Sequence, residues 1–238
     1  MNRKMVFYML GKIIQLEAAL LLFPAVCSLI YRETAVWAFV ITIIIAVILG
    51  FTLTLFNKTT DKIFFAKEGF AIVALAWIVI SALGALPFVI SGEIPSYIDA
   101  FFETVSGFTT TGASVLPNVE QISSKGILFW RSFTHWMGGM GVIVLFMAIL
   151  PSSTGRSIHI LRAEVPGPVV GKLVPKISAT AKILYLIYIA LTFLEVVFLC
   201  FGGMSLYESL LHSFGTAGTG GFGIKSDSIG WYSPYIQW

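Results

Sequence analysis

Residues Phe101-Phe102-Glu103-Thr104-Val105-Ser106-Gly107-Phe108-Thr109-Thr110-Thr111-Gly112-Ala113-Ser114 begin as an apolar segment and dissolve into threonines and a glycine. They lie between two apolar runs of membrane length. The stretch is too polar to span a bilayer and too apolar for an ordinary loop. Non-helical backbone is tolerated at membrane depth where it is buried in protein or lines a water-filled cavity. A re-entrant pore loop is therefore expected here, with the rest of the chain as its housing.

Composition agrees with that setting. Hydrophobic residues make up 57% of the chain and charged residues 11%, against about 45–50% and about 25% in soluble domains. The expected class is an all-α integral membrane protein. Five apolar runs, at about residues 13–30, 35–56, 69–90, 126–150 and 183–201, approach the ~20 residues that cross a hydrocarbon core. The first two are joined by so short a turn that they form an antiparallel helical hairpin. The basic start, residues 1–12, has the look of a signal peptide, but no small-residue cleavage site follows, and a retained first helix is expected. Gly84 and Pro87 predict a bend near the end of the third run. Pro151 stops the fourth run, and residues 152–181, with Pro166, Pro168 and Pro175, do not form a span. Cys27 and Cys200 sit inside apolar runs and read as small buried hydrophobes.

The basic residues give an orientation. Eleven of the fifteen, namely Arg3, Lys4, Lys12, Lys58, Lys62, Lys67, Arg156, Arg162, Lys172, Lys176 and Lys182, fall on one side. Arg32, Lys125, Arg131 and Lys225 fall on the other. The positive-inside rule then puts the N-terminus of this multi-pass protein in the cytoplasm. The loop at residues 109–114 dips in from outside. Glu93, Asp99, Glu103 and Glu120 gather near the outer mouth, either as a field that concentrates cations or as solvated loop charges.

The pattern recurs after the fifth run as Tyr207-Glu208-Ser209-Leu210-Leu211-His212-Ser213-Phe214-Gly215-Thr216-Ala217-Gly218-Thr219-Gly220-Gly221-Phe222-Gly223. Placing Gly221 on Gly112, an offset of 109 (221 minus 112), also places Glu208 on Asp99 and Thr219 on Thr110. A repeated unit of this kind is common in transport proteins. The chain divides into a hairpin and linker (1–67), a first helix–pore-loop–helix repeat (68–151), a cytoplasmic linker (152–181) and a second repeat (182–238) truncated after its loop. A truncated half is accordingly expected.

A dehydrated alkali cation needs a ring of oxygens. Backbone carbonyls supply it where glycine lets successive residues turn inward and threonine adds a hydroxyl. Thr110-Thr111-Gly112-Ala113-Ser114 and Thr219-Gly220-Gly221-Phe222-Gly223 both fit the Thr-x-Gly-x-x frame of the potassium-channel filter loop TVGYG. Candidate ion-binding residues are Thr110, Thr111, Gly112 and Ala113 with Thr219, Gly220, Gly221 and Phe222. Short helices at about 98–108 and 207–217 would aim their negative C-terminal ends at the ion.

Other signals carry less. Gly218 to Gly223 also satisfy G-x-G-x-x-G, but the strand and helix of a dinucleotide fold are lacking around them. Gly138, Gly139 and Gly141 read as a packing face. Glu195, deep in the fifth run, is a functional acid or a structural hydrogen-bonding group. His135, His159 and His212 have no ligand spacing, so no transition-metal site is expected, and His212 reads as a packing or hydrogen-bonding residue. No catalytic centre or nucleic-acid surface is found, and an enzyme is not expected. The bases of the inner linker suit anionic membrane lipid, topology, or a docking partner.

Phe102 to Gly112, then Trp130-Arg131-Ser132, Trp136-Met137-Gly138-Gly139-Met140-Gly141, Leu150-Pro151, Ala163-Glu164-Val165-Pro166-Gly167 and Gly220-Gly221-Phe222 together resemble the Trk/Ktr potassium uptake family of membrane subunits (TrkH/KtrB-like). The resemblance implies four helix–loop–helix repeats around one pore behind a helical hairpin, and a homodimer in the full-length form. It further implies the cytoplasmic (inner) membrane of a prokaryote, a cytoplasmic nucleotide-binding gating subunit of the TrkA/KtrA kind, K+ as the transported ion and no covalently bound cofactor. The third and fourth filter loops, the intramembrane gating loop and the basic residue of the last pore helix have no counterpart here. The expected function is potassium uptake through a carbonyl-lined filter, the alternative a non-conducting truncated or regulatory membrane subunit.

Overall fold

The computed structural model describes residues 2–58, 66–141 and 177–237. Its regular elements are helices: α1 Arg3–Leu20, α2 Leu22–Ile30, α3 Val36–Phe56, α4 Ala66–Gly84, α5 Leu86–Ser91, α6 Tyr97–Phe108, α7 Lys125–Gly139, α8 Ile177–Phe201 and α9 Leu206–Ala217, with a short terminal turn Pro234–Gln237. Among the described residues four helical stretches are long and apolar enough to cross a membrane: Arg3–Ile30, Val36–Phe56, Lys67–Ser91 and Lys182–Phe201. The fourth expected run begins as α7, and its remainder lies outside the described residues. So do Lys62, Pro151, His159 and the bases of the inner linker.

Two helices begin earlier than the hydropathy suggests. The first starts at Arg3, capped by the Asn2 side chain, which accepts from the Met5 N–H. Its Met5, Val6 and Leu10 are buried while Arg3 and Lys4 stay exposed, because one helix face can pack while long basic side chains reach outward. Likewise α8 starts at Ile177, inside what the composition assigns to the linker. The bend expected near Gly84 and Pro87 is a break between α4 and α5. It frees the Gly84 carbonyl, and the Trp130 indole of α7 donates to that oxygen at 2.8 Å.

α1 and α3 pack along their lengths and cross where Gly11 faces Gly50. A Cβ on Gly11 would lie 2.8 Å from the Gly50 carbonyl oxygen, and one on Gly50 2.9 Å from Gln15 Cγ. Small residues let membrane helices approach in this way, and Gln15 Nε2 donates to Thr54 Oγ1 beside the crossing at 3.1 Å. α6 lies between α4 and α7, and α7 also meets α2 and α9. Trp130, Phe108 and Ile127 are wholly buried at this junction. The outward faces of α3 and α8, with Ile48, Leu55, Leu191 and Phe201 exposed, suit hydrocarbon rather than water.

Each end of the bundle is tied by polar contacts. Glu33, in the turn between α2 and α3, accepts from Ser124 Oγ and the Lys125 N–H at 2.7 Å each and from the Gly126 N–H at 3.1 Å, so it caps α7. Tyr207 Oη donates to the Lys125 carbonyl at 2.7 Å and brings α9 to the same end. At the opposite end the Asn2 N–H donates to Glu68 Oε1 at 3.0 Å. Arg3, Lys4 and Lys67 therefore share one end, and Arg32 and Lys125 the other.

The Gly11–Gly50 crossing leaves no room for a branched side chain. Gly50→Leu is expected to cost about 1–3 kcal/mol by overpacking, read as a lower unfolding temperature of detergent-solubilised protein. Substituting Leu at exposed Thr52, two residues along, serves as the control and should leave that temperature in place.

Candidate functional site

The offset of 109 seen in the sequence is also an offset in geometry. Both ends of α6 and α9 obey it, Tyr97 pairing with Leu206 and Phe108 with Ala217. Ser96 Oγ accepts from the Asp99 N–H at 3.4 Å, and Ser205 Oγ from the Glu208 N–H at 3.3 Å. Side chains with a free oxygen at this position satisfy the first N–H groups of a helix. Both helices end alike: Thr109 N–H donates to Val105 O at 2.8 Å, and Gly218 N–H to Phe214 O at 3.0 Å.

Beyond each helix the backbone takes the same unusual course. Thr110 has φ +55° and Gly112 +76°, while Thr219 has +62° and Gly221 +77°. Thr111 and Gly220, between them, keep negative φ. A β-branched residue rarely adopts positive φ, and strain of this kind collects where function requires a particular backbone. The N–H groups of Thr110 and Thr111 turn back onto the Gly107 and Ser106 carbonyls at 3.0 and 2.9 Å and close the end of α6. The two loops also meet: a Cβ on Gly112 would run into the Gly220 carbonyl oxygen, whereas one on Gly221 has open space.

Of the predicted residues, Thr111, Ala113, Thr219 and Gly221 are exposed, and Thr110, Gly112 and Gly220 are half-buried. Phe222 differs, being 3% exposed. Its ring is wedged between the Arg131 guanidinium at 3.6 Å and the His135 imidazole at 3.9 Å, so its side chain anchors the loop from behind. His135 Nδ1 accepts from the Phe222 N–H at 3.3 Å. Gly139 of α7 would meet the Gly218 Cα at 2.8 Å if it carried a Cβ, and Gly138 lies against the Phe108 carbonyl. These two glycines form the close-packing face expected of them.

Two residues assigned to the outer surface belong instead to the interior. Arg131, counted with the outer-side charges near the start of the fourth run, lies within α7 and is 4% exposed; Glu103, expected near the outer mouth, is 1% exposed. Arg131 Nε donates to Glu103 Oε1 at 2.6 Å. Glu103 also accepts from Ser114 Oγ at 2.8 Å and from the Val115 N–H at 3.0 Å. The same guanidinium donates through Nη1 to the Gly223 carbonyl at 3.1 Å. Opposite charges can share a low-dielectric interior because each satisfies the other and the spare donors and acceptors are used. Sequence spacing gave no sign of this pair; the clue was two opposite charges each placed within an apolar stretch.

The remaining acids divide. Glu93 accepts from Ser123 Oγ at 2.8 Å and from the Ser124 N–H at 3.0 Å, whereas Asp99 and Glu120 are exposed. Glu120 meets Lys225 at 3.5 Å, and Ser226 Oγ donates to Asn118 Oδ1 at 2.9 Å, bracing the segments that follow the two loops. His212, the counterpart of Glu103, hydrogen-bonds Tyr232 Oη at 3.3 Å. Glu195 is half-buried in α8. Glu17 is 2% exposed in α1 and its oxygens have no hydrogen-bond partner among the described residues.

Residues 35–238 match the model of a family described as TrkH, cation transport protein. Over 241 residues the chain is 40% identical to the Trk system potassium uptake protein TrkH of Escherichia coli K12, covering 100% of this chain and 50% of that protein. It is 34% identical to the Trk system potassium uptake protein TrkG of the same organism, with 98% of this chain and 48% of that one aligned. The crystal structure of the potassium transporter TrkH from Vibrio parahaemolyticus superposes with a TM-score of 0.83 at 34% identity, over 99% of this chain and 47% of that structure. The chain thus spans about half the length of these relatives. The match along residues 35–238 and the shared helical architecture establish that this membrane protein belongs to the TrkH family of cation transport proteins.

Proposed function

We propose that the chain supplies two of the ion-contacting loops of a potassium uptake protein. Ions entering from outside shed water into the carbonyls of Thr110, Thr111, Gly112 and Ala113 on one side and Thr219, Gly220, Gly221 and Phe222 on the other. The observation that carries this reading is the repeated pair of left-handed residues, Thr110 with Gly112 and Thr219 with Gly221, in two loops that touch through Gly112 and Gly220. That alternation suits a carbonyl-lined filter, and α6 and α9 end where the loops begin, so their C-terminal dipoles favour a cation there. The potassium uptake for which the aligned relatives are named agrees.

On this reading residues 68–151 form one helix–pore-loop–helix repeat and residues 182–238 the start of the next. The hairpin and linker, 1–67, stand outside the repeats, and residues 152–181 face the cytoplasm. The N-terminus lies inside, supported by Arg3, Lys4 and Lys67 at one end of the bundle. The whole protein would work as a homodimer with a cytoplasmic nucleotide-binding gating subunit of the TrkA/KtrA kind, as the family resemblance implies. K+ is its cargo.

In the full-length protein, expressed in cells that lack their own potassium uptake, Gly112→Arg and Gly221→Arg are expected to abolish growth at limiting potassium with normal amounts in the membrane. Ordinary growth of either variant would reject the reading. Alanine at the same sites separates space from backbone. Gly221→Ala carries only the left-handed cost of about 1–2 kcal/mol, whereas Gly112→Ala adds a collision with Gly220, so uptake should fall further in Gly112→Ala. Gly221→Ser is expected to lower discrimination of potassium over sodium, measured as the ratio of the two uptake rates.

A further inference from the structure

We infer that the Glu103–Arg131 pair is a positioning device that fixes the outer ends of both loops relative to each other and thereby sets which alkali cation they accept. The inference rests on the reading of the loops as ion-contacting and assigns the residues that govern their selectivity.

The geometry points to this in three ways. First, the pair holds equivalent places in the two loops. Glu103 binds Ser114, and Arg131 binds the Gly223 carbonyl; Gly223 is Ser114 moved by the repeat offset of 109 (223 minus 114). Second, the link is rigid. The guanidinium is planar, with its donors in a fixed fork, so Nε on Glu103 and Nη1 on Gly223 cannot move apart independently. The Phe222 ring, 3.6 Å from the guanidinium carbon, fixes the plane of that fork. The Glu103 carboxylate is used on both oxygens, by Arg131 and Ser114 on one and by Ser114 and the Val115 N–H on the other. Third, both side chains are shielded, 5% and 0% exposed, and act through the loops rather than on the ion.

Selectivity among alkali cations depends on the size and field strength of a ring of carbonyls. A brace between the same residue of two loops acts on both quantities. Lysine at position 131 would keep the charge but offers a single ammonium where the fork now serves two loops. Pairing Glu103→Gln with Arg131→Met removes both charges together and so leaves no lone buried charge, while ending the link to Gly223.

The test uses the full-length protein in cells without other potassium uptake. Membrane amount is read by immunoblot, and initial uptake of potassium, rubidium and sodium is measured for Arg131→Lys and for Glu103→Gln/Arg131→Met. Both variants are expected in the membrane, with discrimination of potassium over sodium reduced about tenfold, the factor that one charged hydrogen bond is worth, and with a smaller change in maximal potassium rate. Wild-type discrimination in both variants overturns the inference. Failure of both to reach the membrane also overturns it, since the pair would then be a folding requirement. Gly112→Arg in the same cells separates the two levels of argument. If that variant takes up potassium normally, the ion-contacting reading of the loops fails. If it does not, and the Arg131 variants discriminate as wild type, only the positioning role fails.

Discussion

Two opposite charges, Glu103 and Arg131, meet 2.6 Å apart where solvent does not reach, and the local architecture is arranged so that they can. Desolvating such ions costs several kcal/mol each by order of magnitude, which mutual attraction offsets only when the remaining donors and acceptors are also satisfied. Ser114, Val115 and Gly223 provide that satisfaction. For Ser114 to arrive, α6 must stop at Phe108 and the chain must turn back on itself. For Gly223 to arrive, α7 must lie close to the second loop, which its glycines permit. Trp130 then secures α7 to the break in the preceding span through the Gly84 carbonyl. Helix ends and glycine placement thus all bear on whether one buried pair can form.

Much of this fold was legible because its signals are local. Thr110 to Gly112 and Thr219 to Gly221 mark where regular structure ends. The first short helix was expected to begin one residue after its observed start and the second likewise, and both end where expected. The break at Gly84 and Pro87 followed from residues that disturb a helix wherever they stand. The packing role of Gly138 and Gly139 followed from side-chain size.

The rest depended on partners distant in the chain. Counting bases at span ends treats each as solvated, so Arg131 was read as one more outer-side charge; its partner lies 28 residues earlier and no periodicity connects them. Glu103 was drawn to the mouth by its acidic neighbours for the same reason. Hydropathy starts the first span late because it averages Arg3 and Lys4 with the buried face of Met5, Val6 and Leu10. Phe222 occupies the tyrosine position of the filter frame, but the sequence does not say that its ring lies between Arg131 and His135. Such facts belong to contact across elements, which residue spacing does not encode.

The position of Arg131 along the chain has a consequence for biosynthesis. A ribosome delivers Glu103 first, Arg131 after 28 more residues and Gly223 after a further 92. When α7 enters the bilayer, one arm of the guanidinium can engage at once while the other still awaits its acceptor. The first loop can therefore be set early, and α7, bearing Arg131 and His135, stands as a template on which the later loop is shaped. The side chains that cradle the second loop, Arg131 and His135, are thus translated before the loop they hold.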